Sequence, residues 1–92
     1  MADIKVEKLT KQELEKMGVF SWPIWEKEKS KFDWQYDSVE QCYLLEGDVT
    51  VTPKGGKPVR FGKGDFVTFP IGLACVWDIK IPVKKHYRFQ MS

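Results

Sequence analysis

The residues able to do chemistry cluster around one acid. Glu40 follows Trp34 and Tyr36 at even spacing, Cys42 comes two residues later, and Cys75 and Trp77 form a second alternating pair. Alternate residues of a strand share a face. If Glu40 points inward, and if the turn at Asp37-Ser38 keeps the register, then Trp34, Tyr36 and Cys42 point inward with it. The expected pocket is an aromatic slot with one carboxylate and two thiols, lined by Trp34, Tyr36, Glu40, Cys42, Cys75 and Trp77. A carboxylate among rings loses hydration, which raises its pKa, whereas a neighbouring cation lowers it. Glu40 is therefore the candidate general acid or base, or the holder of the cationic or hydrogen-bonding end of a ligand. Aromatic walls can stack a planar or cationic small molecule. Cys75 becomes a nucleophile only if a neighbour lowers its pKa, and no His or Lys lies close to it in sequence. For both cysteines the plainer reading is small buried residues. His86 is the only histidine; parity is lost across Pro82, so its direction stays open.

Composition narrows the class. Ninety-two residues, expected to form a single domain over 1–92, allow one modest core. Aromatics make up 14% of the chain, including four Trp and six Phe, enough to build a small core or to line a pocket. The net charge of +2 comes from interspersed signs, as in Glu26-Lys27-Glu28-Lys29. That is a solvated face rather than the basic stripe of a nucleic-acid groove, so no nucleic-acid partner is expected. Two cysteines are too few for a disulfide framework, and no CxxC pair suggests zinc. Free thiols point to the cytoplasm or another reducing compartment; a plastid fits if a transit peptide was removed. No apolar run approaches the ~20 residues of a membrane span, and no signal-peptide core opens the chain.

The elements that would position these residues are short strands. Asp3 to Glu7 alternates like an edge strand. Leu9-Thr10-Lys11-Gln12-Glu13-Leu14 has a capping box at Thr10 and Glu13 and a staple at Leu9 and Leu14, with Gly18 to end the helix. That helix, about two turns long, is expected to lean on the barrel as a lid or plug. Val19 to Trp25, interrupted by Pro23, suits an edge strand or a crossing segment, with Trp22 and Trp25 as core residues or pocket wall. Trp25 to Tyr36 is one long strand or two short ones. Val39 to Gly47 and Asp48 to Pro53 read as two strands folded back at Glu46-Gly47-Asp48. Lys54-Gly55-Gly56-Lys57 is a hairpin loop. Pro58–Phe61, Phe66–Phe69, Leu73–Lys80 and Val83–Phe89 follow, with Ile81-Pro82 breaking the last run. Eight or nine short strands with turn signals between them predict an all-β barrel or sandwich.

Two stretches carry a more specific likeness. Glu40, six residues and Gly47 match the end of the first motif of the cupin superfamily, and Gly64, five residues and Pro70-Ile71-Gly72 match the start of the second. The glycines and the proline build tight turns. Trp22-Pro23-Ile24-Trp25-Glu26, Cys42 to Gly47, Gly64 to Pro70 and Lys85-His86-Tyr87 resemble the small single-domain cupins related to (S)-ureidoglycine aminohydrolase. The resemblance implies an RmlC-like jelly-roll β-barrel with one short N-terminal helix, often dimeric. Tyr43 and Leu45, read as facing outward, would support a homodimer.

The departures from that pattern weigh on function. In metal-binding cupins the two His and the Glu of the first motif and the His of the second hold one divalent ion. The corresponding positions here are Trp34, Tyr36, Glu40 and Cys75, and the final Asn is Ile79. A catalytic zinc needs three protein ligands, so no cofactor is expected; if Mn, Zn, Ni or Fe binds, the candidates are Glu40, Cys75 and His86. The resulting expectation is a small metal-free cupin that takes a planar or cationic ligand into an aromatic barrel mouth, binding rather than catalysing. The resemblance also implies an alternative, a metal-dependent hydrolase acting on a ureide. A third reading is an interaction module with a vestigial pocket.

Overall fold

The computed structural model describes residues 3–90. The order is β1 (Lys5–Glu7), α1 (Lys11–Met17), a 3-10 turn (Val19–Ser21), β2 (Ile24–Lys27), β3 (Ser30–Gln35), β4 (Val39–Pro53), β5 (Val59–Gly62), β6 (Phe66–Phe69) and β7 (Ala74–Gln90). All pairings are antiparallel, in the order β1-β6-β4-β7-β2, with β3 on β7 and β5 on β4. The result is an all-β jelly-roll barrel with one short helix. Among the described residues no helix is long and apolar enough to cross a membrane.

The local chemistry around α1 follows its residues. Glu13 N–H donates to Thr10 Oγ1 and Thr10 N–H to Glu13 Oε1, each at 3.1 Å, completing the capping box. Gly18 ends the helix in the left-handed region. Its placement differs from expectation. Leu14 and Val19 are buried against Phe66, with Leu9, Met17, Trp22 and Tyr43 around them, so α1 seals the outer face of β6 and β4 and is not a lid over the mouth. Tyr43 faces outward as expected and lies under Phe20, their ring centroids 5.9 Å apart.

The fold-back expected at Glu46-Gly47-Asp48 is a bend within one continuous strand. β4 runs its whole length along β7, from Val39 opposite Gln90 to Pro53 opposite Cys75, with register shifts between Leu44 and Val49. The expected break at Ile81-Pro82 is likewise a bend in β7, whose ladder continues on both sides. Two long bent strands thus replace four short ones, and their joint kink curls the sheet into a barrel. Gly47 has φ 125°, and a Cβ there would meet Val83 Cα at 3.0 Å and the Pro82 carbonyl at 3.1 Å. Gly62 passes behind it so closely that a Cβ would lie 2.6 Å from the Gly47 carbonyl. Two bare backbones are needed for the strands to cross this tightly.

The kink shifts β4 but not the inward parity of β7. Along β4 the buried set passes from Glu40, Cys42 and Leu44 to Val49 and Val51, from even to odd. Along β7 the inward set stays odd, with Cys75, Trp77, Ile79, Val83 and Lys85, while His86 is buried on the opposite face. All of these inward residues except Glu40 and Lys85, with Tyr36, Phe61, Val67 and Phe69, form the core. Gly47→Val should cost about 2–4 kcal/mol through strain and overpacking. Urea unfolding would measure it, and a cost below about 1 kcal/mol would mean that the kink does not need a bare backbone here.

Candidate functional site

Trp25–Lys27 of β2, Phe32–Trp34 of β3 and Trp77, Lys85, Tyr87 and Phe89 of β7 border a cavity of about 580 Å³, within the range that takes a small ligand. Its buried end is made by Tyr36, Glu40, Trp77 and Lys85. Half-buried Trp25, Phe32 and Tyr87 form its walls, and exposed Trp34 and Phe89 stand at the opening with Glu26, Lys27 and Asp33.

The centre is an ion pair. Lys85 Nζ donates to Glu40 Oε2 at 2.9 Å, with the two side chains only 4% and 5% exposed. Lys85 Nζ also lies 4.7 Å from the Trp77 ring centroid, 4.9 Å from that of Trp25 and 6.0 Å from that of Phe69. Ring faces are electron-rich, so they replace part of the hydration the ammonium has lost. The rings hold one another: Phe32 stacks on Trp77 at 13°, and Tyr36 on Phe69 at 10°. Trp77 carries a buried indole N–H that has no partner.

Desolvation also acts on the neighbouring acids. Burial first, then the Glu40 carboxylate, raises the Tyr36 phenol well above its ordinary range. Burial pushes the Cys42 thiol up to about 12 against the pull of Lys85, and burial followed by Glu40 pushes Cys75 to about 11. Neither thiol is a nucleophile at neutral pH.

Four of the residues expected from sequence, Trp34, Tyr36, Glu40 and Trp77, border this cavity. Two do not. Cys42 is fully buried in the core. Cys75 borders a separate cavity with Thr52, Pro53 and Lys54, its Sγ 3.7 Å from the Trp34 carbonyl. His86 takes the opposite face of β7: Nδ1 is 2.9 Å from the Trp22 carbonyl and the ring meets Phe20 edge-on. The tryptophans divide likewise: Trp25 is cavity wall, while Trp22 packs with the outer cluster and under the Arg88 guanidinium.

The residue missed from sequence is Lys85. The signal for it was the odd parity of Cys75, Trp77 and Ile79, which continues through Val83 to Lys85. Pro82 hides that signal in the sequence, because a proline ordinarily breaks a strand, whereas here β7 runs through it.

The metal expected of many cupins does not fit these residues. Among the described residues no three or more His, Cys, Asp or Glu gather. Of the three candidates only Glu40 faces the cavity, and Lys85 already occupies the cationic place beside it.

A single antiparallel jelly-roll barrel of this kind is the architecture of a cupin. Within that class the chain belongs to the family of EutQ-like cupin domains, whose family model matches residues 14–87. It is 52% identical to a DUF861 family protein of Thermotoga maritima, covering 96% of this chain and 100% of that one with a TM-score of 0.94. A DUF861 family protein of unknown function from Pseudomonas syringae is 25% identical, over 70% of this chain and 28% of that one, with a TM-score of 0.63. The EutQ protein of Clostridium difficile shares the fold at 20% identity and a TM-score of 0.63, over 70% of this chain and 50% of that one. No curated protein matches the chain.

Breaking a buried pair strands a charge, whereas removing both charges does not. Glu40→Gln and Lys85→Met should each cost about 3–5 kcal/mol, and the double variant markedly less than their sum. Additive costs in a double-mutant cycle would mean that the pair is not coupled.

The raised thiols give an alkaline limit. Unfolding exposes thiols of ordinary pKa near 9, while the folded Cys42 holds its proton to about 12. The stability from burying neutral thiols is complete below pH 9 and falls as pH rises from 9 toward 12, by up to about 1.4 kcal/mol per pH unit for each thiol. Urea midpoints at pH 8 and 10 should show the fall, and Cys42→Val should roughly halve it, since Cys75 remains. An unchanged slope in that variant would reject this source.

Proposed function

We propose that this cupin binds a small planar molecule in the cavity between β2, β3 and β7, with the Glu40–Lys85 pair meeting its polar end, and without a metal. The observation behind this reading is the ion pair at the buried end of an aromatic-walled cavity that opens to the surface. Flat walls suit a planar ligand, since rings bury large areas in stacked or edge-on contact. Of the planar and cationic ligands expected from sequence, the planar ones are favoured. A cationic ligand would meet a carboxylate already neutralised by Lys85, and the ring faces that would cage it are already turned to the ammonium.

The chemistry available here is recognition and proton positioning. Lys85 can donate to an acceptor atom, and Glu40 can accept from a donor. The ureide hydrolase suggested by the likeness to ureidoglycine aminohydrolase would need a divalent ion and its ligands, and the residues around Glu40 do not supply them.

Two measurements test the reading. Elemental analysis should find metal well below one per chain, and Mn, Zn, Ni or Fe should leave the unfolding midpoint unchanged. Planar heteroaromatic compounds should raise that midpoint by binding the native state, and Trp34→Ala should weaken the best of them about fivefold, the worth of one aromatic contact. Stoichiometric metal lost in Glu40→Gln would favour the hydrolase. A screen in which no planar compound binds would favour an interaction module.

A further inference from the structure

We infer that Lys85 is the resident cation of this barrel, and that the ligand presents to it the carbonyl oxygen of a planar, uncharged, amide-like group. This rests on the planar-ligand reading above and adds the chemistry of the ligand's polar end.

The hydrogen-bonding balance of the cavity points to that group. An ammonium has three N–H donors. Glu40 Oε2 takes one, and the other close neighbours of Nζ are ring faces. Trp77, which also borders the cavity, carries an indole N–H that is buried and unpartnered. A buried donor without an acceptor is costly and is rarely left so. Both unfilled groups are donors, so the missing partner is an acceptor.

Charge then selects among acceptors. Glu40 and Lys85 already cancel. A carboxylate would bring a second negative charge beside Glu40 in a desolvated site, and an amidinium a second positive charge beside Lys85; both are disfavoured. A neutral carbonyl adds neither. The Lys85 bond uses Oε2 of Glu40 and the Tyr36 hydroxyl also turns to this carboxylate; a carboxylate accepts about four hydrogen bonds, so an N–H next to the carbonyl can reach it as well. Carbonyl oxygen to the ammonium and N–H to the carboxylate is the edge of a carboxamide or lactam. Phe32 and Trp25 at the walls suit a conjugated ring attached to it.

The ammonium here does for a carbonyl oxygen what a bound metal ion would do: it holds the oxygen and draws charge toward it. It needs no ligand set, because the chain supplies it covalently.

The test uses four planar probes of similar size, benzamide, benzoate, benzamidine and indole, titrated at millimolar concentration into the full chain and followed by protein NMR. The Trp77 indole N–H resonance is assigned through Trp77→Phe. Benzamide should bind and move that resonance downfield, and benzamidine should bind at least tenfold more weakly. Lys85→Met alone can fail to fold, so Glu40→Gln/Lys85→Met, which removes both charges, is the comparison; it should lose benzamide binding at least tenfold while keeping indole within about twofold. Benzamidine or benzoate binding as tightly as benzamide would overturn the inference, as would benzamide binding unchanged in the double variant. In either case indole binding would leave the planar-ligand reading standing. If none of the four perturbs the cavity residues, both readings fall together.

Discussion

A lysine ammonium and a glutamate carboxylate 2.9 Å apart, with 4% and 5% of their side chains exposed, set the terms for the rest of this barrel. Taking two charges out of water costs several kcal/mol per ion, and their attraction repays it only in good geometry. Here Trp25, Trp77 and Phe69 turn ring faces to the ammonium. The rings are fixed in turn by Phe32, Phe61 and Tyr36. The aromatic excess of the composition is thus largely accounted for: it builds the core and insulates one ion pair at the same time.

The backbone is shaped to bring that pair together. Glu40 lies on β4 before the kink and Lys85 on β7 near it, 45 residues apart in sequence. The kink works because Gly47 and Gly62 let backbones approach within distances that a Cβ forbids. Curling the sheet there turns the inward faces of β4 and β7 toward one another, with β2 and β3 adding the outer wall on the free side of β7. The helix and the 3-10 turn lie on the outer face around Phe66, which leaves the mouth to Trp34 and Phe89.

Membership of the EutQ-like cupin family fixes the architecture and leaves the chemistry to the individual site. In this chain the polar centre of the site is a single buried salt bridge. A salt bridge and a metal centre offer a ligand different chemistry. A metal ion binds several atoms and activates water, whereas an ammonium beside a carboxylate recognises a donor–acceptor edge and moves no more than a proton.

Local signals settled much of this protein before any packing was considered. The capping box at Thr10 and Glu13 and the turns around Gly55 and Gly64 are short-range features, decided by residues within a few positions of one another. The alternation that places Trp34, Tyr36 and Glu40 on one face is equally local, and so is legible in sequence. Tertiary structure decided the rest. Whether Gly47 and Pro82 end strands or bend them depends on two distant segments running side by side, a non-local pairing that neither segment encodes alone. Once β4 and β7 are paired through the bend, β7 keeps its odd inward residues while β4 shifts. Lys85 then faces Glu40, His86 faces Trp22, and Cys42 sinks into the core. The carboxylate was visible in the sequence. Its charged partner became visible only with the register of the partner strand, because an ion pair between residues 45 apart is a property of that register.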